Sequence, residues 1–385
     1  MKRVLLVSEY FFPNIGGVEN SIDNLAKEYI KLGYQVDIIT SDKNLFTKAK
    51  LVNEEVVSEY LTIYRYHIPK VLAKVSFVDF IFSRKLFKIK SKNEYTKIIT
   101  RTHVNFLSLY YYFRGRCPIN YIVPGFVFEQ NKSQNVSRGS FLLSLLRRVN
   151  SFFGSNIQKF AVNNSKLLVF SLAMYDSALE LLNDETMKPT LTKPGVNDFF
   201  EYLPAAEVKI LRDEIEFDND SFYLLSVGRF VSAKGFSYAL ESLLYLPDNY
   251  KLILAGSGLE EGLYLDYISE HNLSDRVKIL SDFNDIPLLY KIADVYLFTS
   301  IYEPLGQVIL EAGASGLPLV AFMPSDTVKT AIKEIEIDDN IVLVEDVNGI
   351  ALAESIKNLN FIKSYHISRD YKKRYSWLSL VNDID

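Results

Sequence analysis

The chain has 385 residues, 48% apolar and 23% charged with a net charge of −4, a composition that excludes a disordered or fibrous protein. That length suits two domains of roughly 150–200 residues better than one. A single cysteine, Cys117, excludes a disulfide framework and a cysteine-based zinc cluster.

Strand-like and helix-like segments alternate from the first residues, as in a doubly wound α/β protein. Lys2–Ser8 is a strand whose apolar run is too short for a signal-peptide core. The Gly16-Gly17 turn follows, then a helix over Val18–Leu32 with Gly33 at its C-cap. Gln35–Thr40, Tyr95–Thr100 and Ile119–Val123 are further strands. Ala161–Asn163 and Leu167–Phe170 read as another, before a helix starting near Ser171. The chain turns at Pro194–Asn197, and the polar, acidic stretch Glu201–Asn219 marks a domain boundary. The pattern then restarts with strands at Tyr223–Val227, Lys251–Ala255, Val277–Leu280, Val295–Thr299 and Leu319–Phe322. Helices are predicted at Gly235–Leu244, Asp285–Ile292 and Leu305–Ser315. The fold class is therefore α/β, two Rossmann-like domains facing across a cleft, with ligands at the C-terminal ends of the strands. No stretch reaches the roughly 18 apolar residues of a membrane span, so a cytoplasmic protein is expected.

Three segments of the second half carry chemistry. Strand Tyr223–Val227 runs into Gly228-Arg229-Phe230 and then Lys234-Gly235. Two cations beyond a strand end suit a diphosphate, Arg by a forked hydrogen bond and Lys as a point charge, although a solvated loop explains them too. Strand Lys251–Ala255 leads into Gly256-Ser257-Gly258, which permits close backbone approach to a ligand or simply a tight turn. The third segment is Glu303-Pro304-Leu305-Gly306-Gln307 followed by Val308–Glu311. Pro304 suits the first turn of a helix whose N-terminus binds phosphate. Eight positions on, Glu311 returns to within about 80° of Glu303 around the axis. Among apolar neighbours its carboxylate needs donors, which ribose hydroxyls would supply, whereas an exposed helix face would need none.

The run E-P-L-G-Q-V-I-L-E resembles the E-x7-E motif of the retaining glycosyltransferases of family GT4, which have the GT-B fold. S-V-G-R-F-x4-K-G resembles that family's phosphate-binding Arg and Lys, and L-A-G-S-G its following glycine turn. V-K-I-L-S-D-F-N-D, which includes Phe283, resembles the nucleobase-contacting segment. P-N-I-G-G-V-E-N is similar to the G-G-x-E loop of the other domain. The resemblance implies that Arg229 and Lys234 neutralise a diphosphate leaving group. Glu311 would hold the ribose, Glu303 the transferred sugar, and the backbone of Leu305-Gly306-Gln307 the distal phosphate, with Gly16 and Gly17 closing over it. It further implies domains 1–195 for the acceptor and 196–365 for the donor, with a C-terminal helix 366–385 crossing back. No metal or cofactor is needed beyond the nucleotide-sugar co-substrate, a UDP-sugar in preference to a GDP-sugar. The chain departs from the family at Pro124-Gly125, where a histidine is usual. His103 is the substitute candidate for the sugar contact, or else an ordinary half-buried histidine. Ser281 also replaces a usual glycine.

Charge is divided unevenly: 27 Lys and Arg against 16 Asp and Glu in residues 1–195, and 16 against 31 in 196–385. Val71–Lys92 and Phe141–Phe160 mix apolar residues with Lys and Arg. They read as basic amphipathic helices for an anionic membrane surface, or as core helices with solvated basic faces. The expected partners are a nucleotide-sugar donor and a glycan or lipid-linked glycan acceptor in cell-surface polysaccharide synthesis, with no nucleic acid. The other functions weighed are a nucleotide-sugar epimerase, a degenerate donor-binding partner protein and, more distantly, a nicotinamide dehydrogenase.

Overall fold

The computed structural model describes residues 2–14, 16–44, 51–69, 79–83, 94–113, 116–128, 141–281, 283, 285–304, 306–335, 340–360 and 362–385, with 141–150 as backbone alone. They form two compact units, one of Met1–Pro194 with Trp377–Asp385 and one of Gly195–Ser376.

The first unit is built on β1 (Arg3–Val7), β2 (Gln35–Ser41), β3 (Glu54–Val56), β4 (Leu61–Tyr66), β5 (Lys97–Thr100), β6 (Ile119–Ile122), β7 (Lys166–Val169) and β8 (Thr190–Leu191). Their order across the sheet is β3-β4-β2-β1-β5-β6-β7-β8, parallel except for the β3–β4 pair. Val4 to Val7 are fully buried, because helices on both faces leave a central parallel strand no polar side. Those helices are α1 (Gly17–Lys31), α2 (His103–Phe113), α3 (Phe141–Asn163) and α4 (Leu172–Leu181). Ala161–Asn163, expected as a strand, is instead the last turn of α3; its apolar residues face inward at helical rather than alternate spacing. β1 has β2 on one side and β5 on the other. The loops leaving β1 and β5 therefore flank the point where strand order reverses.

The second unit starts with α5 (Ala205–Glu214), inside the stretch expected to be a boundary loop. Val208 and Arg212, four residues apart, are its buried positions, and Leu211 packs half-buried against the core. Arg212 is held by the Ile292 carbonyl (3.0 Å) and Asp294 (2.8 Å). The main sheet follows: β9 (Phe222–Val227), β10 (Tyr250–Ala255), β11 (Val277–Leu280), β12 (Val295–Phe298), β14 (Leu319–Phe322) and β16 (Ile341–Val344), ordered β11-β10-β9-β12-β14-β16 and parallel throughout. A two-stranded ribbon pairs β13 (Tyr302–Glu303) with β15 (Lys329–Thr330). The helices are α6 (Phe236–Ser242), α7 (Glu261–Glu270), α8 (Ile286–Ile292), α9 (Gln307–Ala314), α10 (Ile332–Ile335), α11 (Gly349–Lys357) and α12 (Tyr365–Arg374). Alternate strand residues feed two cores, Leu225, Tyr296 and Leu319 on one face and Leu224, Leu297 and Val320 on the other. Each such side chain contributes about 1.5–3 kcal/mol.

The terminal segment divides. α12 stays with the second unit, and α13 (Trp377–Ile384) belongs to the first. There Lys166 Nζ donates to the Ile384 carbonyl (2.8 Å) and Thr192 Oγ1 bonds to Asp383.

Candidate functional site

In the second unit the switch in strand order falls between β9 and β12, and the sequence-predicted donor residues gather in the loops that leave those two strands. Past β9, Phe230 is fully buried and meets Phe236 edge-on at 5.7 Å. That anchor leaves its neighbour Arg229 exposed. A Cβ on Gly256 would stand 1.9 Å from the Gly228 carbonyl oxygen, and one on Gly258 2.4 Å from that of Phe230. These glycines let two adjacent loops pack backbone to backbone, and Phe230 N–H donates to the Ser257 carbonyl (2.9 Å). Their smallness serves the loop that carries Arg229.

Lys234 ends a 3-10 turn, Ser232–Lys234. The helix expected over Gly235–Leu244 is broken at its start because Gly235 adopts φ +61°. A side chain there would lie 2.2 Å from the Thr299 carbonyl oxygen. Thr299 Oγ1 in turn donates to the Lys234 carbonyl (2.9 Å), and Ile301 N–H to that of Ala233 (2.9 Å). The turn is thus tied to the end of β12, and Lys234 Nζ forms an ion pair with Glu303 Oε2. Both side chains are largely buried, 15% and 17% exposed.

Glu303 does not belong to the helix, as the angular argument from sequence required. Gly306 has φ +71° and caps α9 through its backbone, so the helix starts at Gln307 and Pro304 stands outside it. Glu303 lies in β13, fixed by pairing with β15 and by its carbonyl accepting Ala331 N–H (3.1 Å). Glu311 nevertheless shares the same electrostatic neighbourhood. Burial raises its carboxyl to a pKa of about 7, against a hydrogen bond from Tyr290 and the charge of Lys234, while Glu303 raises it further. Tyr290 donates its hydroxyl to Glu311 Oε2 at 2.9 Å. Nothing in the spacing of Leu288-Leu289-Tyr290 marks that contact, since Tyr290 reads as one more apolar position of α8.

Gln307 Nε2 donates to the Gly195 carbonyl (3.1 Å). Ser281 Oγ donates to Glu261 Oε1 (2.6 Å). Phe283 packs half-buried against the core of the second unit. Leu305 lies outside the described residues.

Gly16, Gly17 and His103 belong to the first unit and are described there alone. Gly16 is the N-cap of α1 in extended backbone. Glu19 Oε2 sits 2.6 Å from where its Cβ would be, and Gly17 faces open space. His103 opens α2 half-buried, its Nε2 3.6 Å from the Cβ position of Gly154. Burial lowers its pKa to about 4, so the ring is neutral near pH 7. The fully buried Arg101, unremarked in the sequence, lies at the end of β5 and donates to Ser21 Oγ (2.7 Å). Of the two basic stretches, Val71–Lys92 is described only over 79–83. Phe141–Phe160 is α3, on which Phe152 and Phe153 are exposed. No helix among the described residues is long and apolar enough to cross a membrane.

Two Rossmann-like sheets in this order, the first parallel but for its edge pair and the second parallel throughout, belong to a GT-B fold. The solved sucrose-phosphate synthase of Thermosynechococcus elongatus superposes with a TM-score of 0.76 over 100% of this chain and 97% of that one, at 19% identity. Residues 207–371, which hold the second unit's sequence-predicted donor residues, match the family described as Glycosyl transferases group 1. An uncharacterized glycosyltransferase of Methanocaldococcus jannaschii is 26% identical over 57% of this chain, a match that spans only 58% of that relative's length. The UDP-Gal:alpha-D-GlcNAc-diphosphoundecaprenol alpha-1,3-galactosyltransferase of Escherichia coli is 24% identical over 69% of this chain and 68% of its own.

Proposed function

We propose that the chain is a retaining, metal-independent glycosyltransferase of GT4 type that moves a hexose from a nucleoside-diphosphate sugar to a glycan or lipid-linked glycan in cell-surface polysaccharide synthesis. The observation that carries this is the gathering of exposed Arg229, paired Lys234 and Glu303, and half-buried Glu311 in the loops and helix at the second unit's switch point. When the bond from the sugar's anomeric carbon to the diphosphate breaks, negative charge collects on the leaving phosphate oxygen. Arg229 and Lys234 neutralise it, aided by the N–H groups at the start of α9, where Gly306 N–H donates to Glu303 Oε1 (3.4 Å) in the empty site. In the empty site Glu303 holds Lys234, and a diphosphate competes for that cation while the sugar's hydroxyls take up the carboxylate. Glu311 accepts from the ribose. Gly228, Gly256, Phe283, Gly306 and Gln307 shape the donor pocket. Gly16, Gly17 and neutral His103 are the ligand-contact candidates of the first unit.

A UDP-sugar is the preferred donor and a lipid-linked glycan the preferred acceptor. Both choices are supported by the name of the Escherichia coli relative. The exposed Phe152-Phe153 pair and the basic first half support a peripheral position on the inner face of the cell membrane. The test is release of nucleoside diphosphate from UDP- and GDP-hexoses, with and without an extract of lipid-linked glycans. Release that depends on the extract supports the reading. Epimerised sugar, or binding without release, refutes it.

A further inference from the structure

The strongest feature that the proposed reaction leaves unused is Tyr290. Its ring is fully buried, stacked on Tyr296 at 5.5 Å and 9° and met edge-on by Phe200 at 5.2 Å. The backbone that carries it is fixed at both ends of α8. Asp285 caps the first turn through Leu288 N–H (3.2 Å). At the other end, Lys363 Nζ donates to the carbonyls of Tyr290 (3.0 Å) and Lys291 (2.6 Å), which a helix C-terminus otherwise leaves open. Ring and backbone together bring the hydroxyl to Glu311 Oε2, with the Tyr296 side chain as its other polar neighbour. The other carboxylate oxygen has no hydrogen-bond partner among the described residues.

We propose that Tyr290 is the positioning residue of the donor site, its hydroxyl pinning Glu311 Oε2 so that Oε1 is presented to the vicinal diol of a nucleoside ribose. This rests on the donor-site reading given above. Burial and the charge of Glu311 hold the Tyr290 hydroxyl well above the usual phenol range, so it stays a donor across neutral pH. A hydrogen bond to the ionised form favours that form. Tyr290 therefore also keeps Glu311 charged at a pH where burial would neutralise it. The groups that face this carboxyl are Tyr290 from α8, Tyr296 from β12, Lys234 from the 3-10 turn and Glu303 from β13. α12 brings the Tyr371 ring against Gly313, two residues further along α9.

The experiment is calorimetric titration of UDP, GDP and ADP into the full chain and into Y290F, E311Q and the double variant, at pH 6, 7 and 8.5. Y290F keeps the ring and loses only the hydroxyl. The nucleotide that binds the wild type is expected to bind Y290F about tenfold more weakly at pH 7. That gap should narrow by pH 8.5, because ionisation without the tyrosine needs a higher pH. In the E311Q background the tyrosine substitution should cost less than twofold. K363Q, which loosens α8 without touching the ring, should weaken binding in the same direction by a smaller factor, and stands in should Y290F not fold. Equal losses from Y290F with and without Glu311, or a pH profile that Y290F leaves unmoved, would overturn the proposal. Failure of all three nucleotides to bind the wild type overturns the donor-site reading itself, and is recognisable as such because no variant is needed to see it.

Discussion

The two cations of the site differ in what the folded protein asks of them, so replacing each with alanine should separate binding from stability. Arg229 is exposed and makes no ion pair among the described residues. R229A should therefore change the unfolding free energy by less than about 0.5 kcal/mol. Two charge-assisted bonds to a diphosphate would be lost, weakening nucleotide binding by about 1.5–3 kcal/mol, or ten- to a hundredfold in Kd. Lys234 neutralises a Glu303 side chain that is only 17% exposed. K234A leaves that carboxylate without its partner and should destabilise the second unit by about 1–3 kcal/mol, below the cost of breaking a fully buried pair because some water reaches it. K234A/E303Q should recover most of that loss while still binding nucleotide poorly. Urea unfolding followed by circular dichroism, beside calorimetric titration with UDP, measures both quantities on one preparation. If R229A destabilised the protein as much as K234A, or bound UDP within twofold of the wild type, the assignment of these two residues would be wrong.

G235A should lose about 2–5 kcal/mol, from the left-handed backbone and from a Cβ driven against the Thr299 carbonyl. G262A, in α7 with nothing within 4 Å of the added carbon, should be neutral or gain up to about 1 kcal/mol; urea midpoints in the opposite order would sink the packing argument. Glu311 titrates near 7 when folded, against 4.5 for a free carboxyl, so the folded state binds more protons in that window. The empty protein should then lose roughly 2–3 kcal/mol of stability as the pH rises through it. E311Q should flatten that slope in pH-dependent thermal melts, and an unchanged slope would place the titration elsewhere. E303Q should lower turnover while largely sparing nucleotide affinity, and E311A should weaken affinity itself. Steady-state kinetics beside titration would show the reverse pattern if the two roles were exchanged.

Much of the second unit was legible because its signals are local. β11 and β14 fall at the residues expected, β9, β10 and β12 within one of them, and Asp285 caps α8 where its type predicts. The legible errors have physical causes of equal simplicity. α5 lies in the stretch expected to be a boundary loop, because its inward face, Val208, Leu211 and Arg212, includes an arginine that reads as a polar position in the sequence. The expected start of α9 at Leu305 falls two residues early, because proline favours a first turn whereas the left-handed Gly306 puts the start at Gln307. Local sequence also leaves β13 invisible, since two residues become a strand only when Lys329–Thr330 arrives beside them.

The candidate site shows the same division more sharply. Sequence by itself determined which residues carry charge after which strands, and their order and glycine context were enough to nominate Arg229, Lys234, Glu303 and Glu311. It could not determine how the two glutamates come together, because the route is not one helix face but a ribbon on one side and a helix on the other. Nor could it show that Lys234 is already paired, or that Tyr290, twenty-one residues before Glu311, supplies its hydrogen bond. Those contacts depend on strand order: β9 and β12 lie side by side although β10 and β11 separate them along the chain. A contact of that kind has no local signature, since it exists only once the sheet has brought its strand ends together.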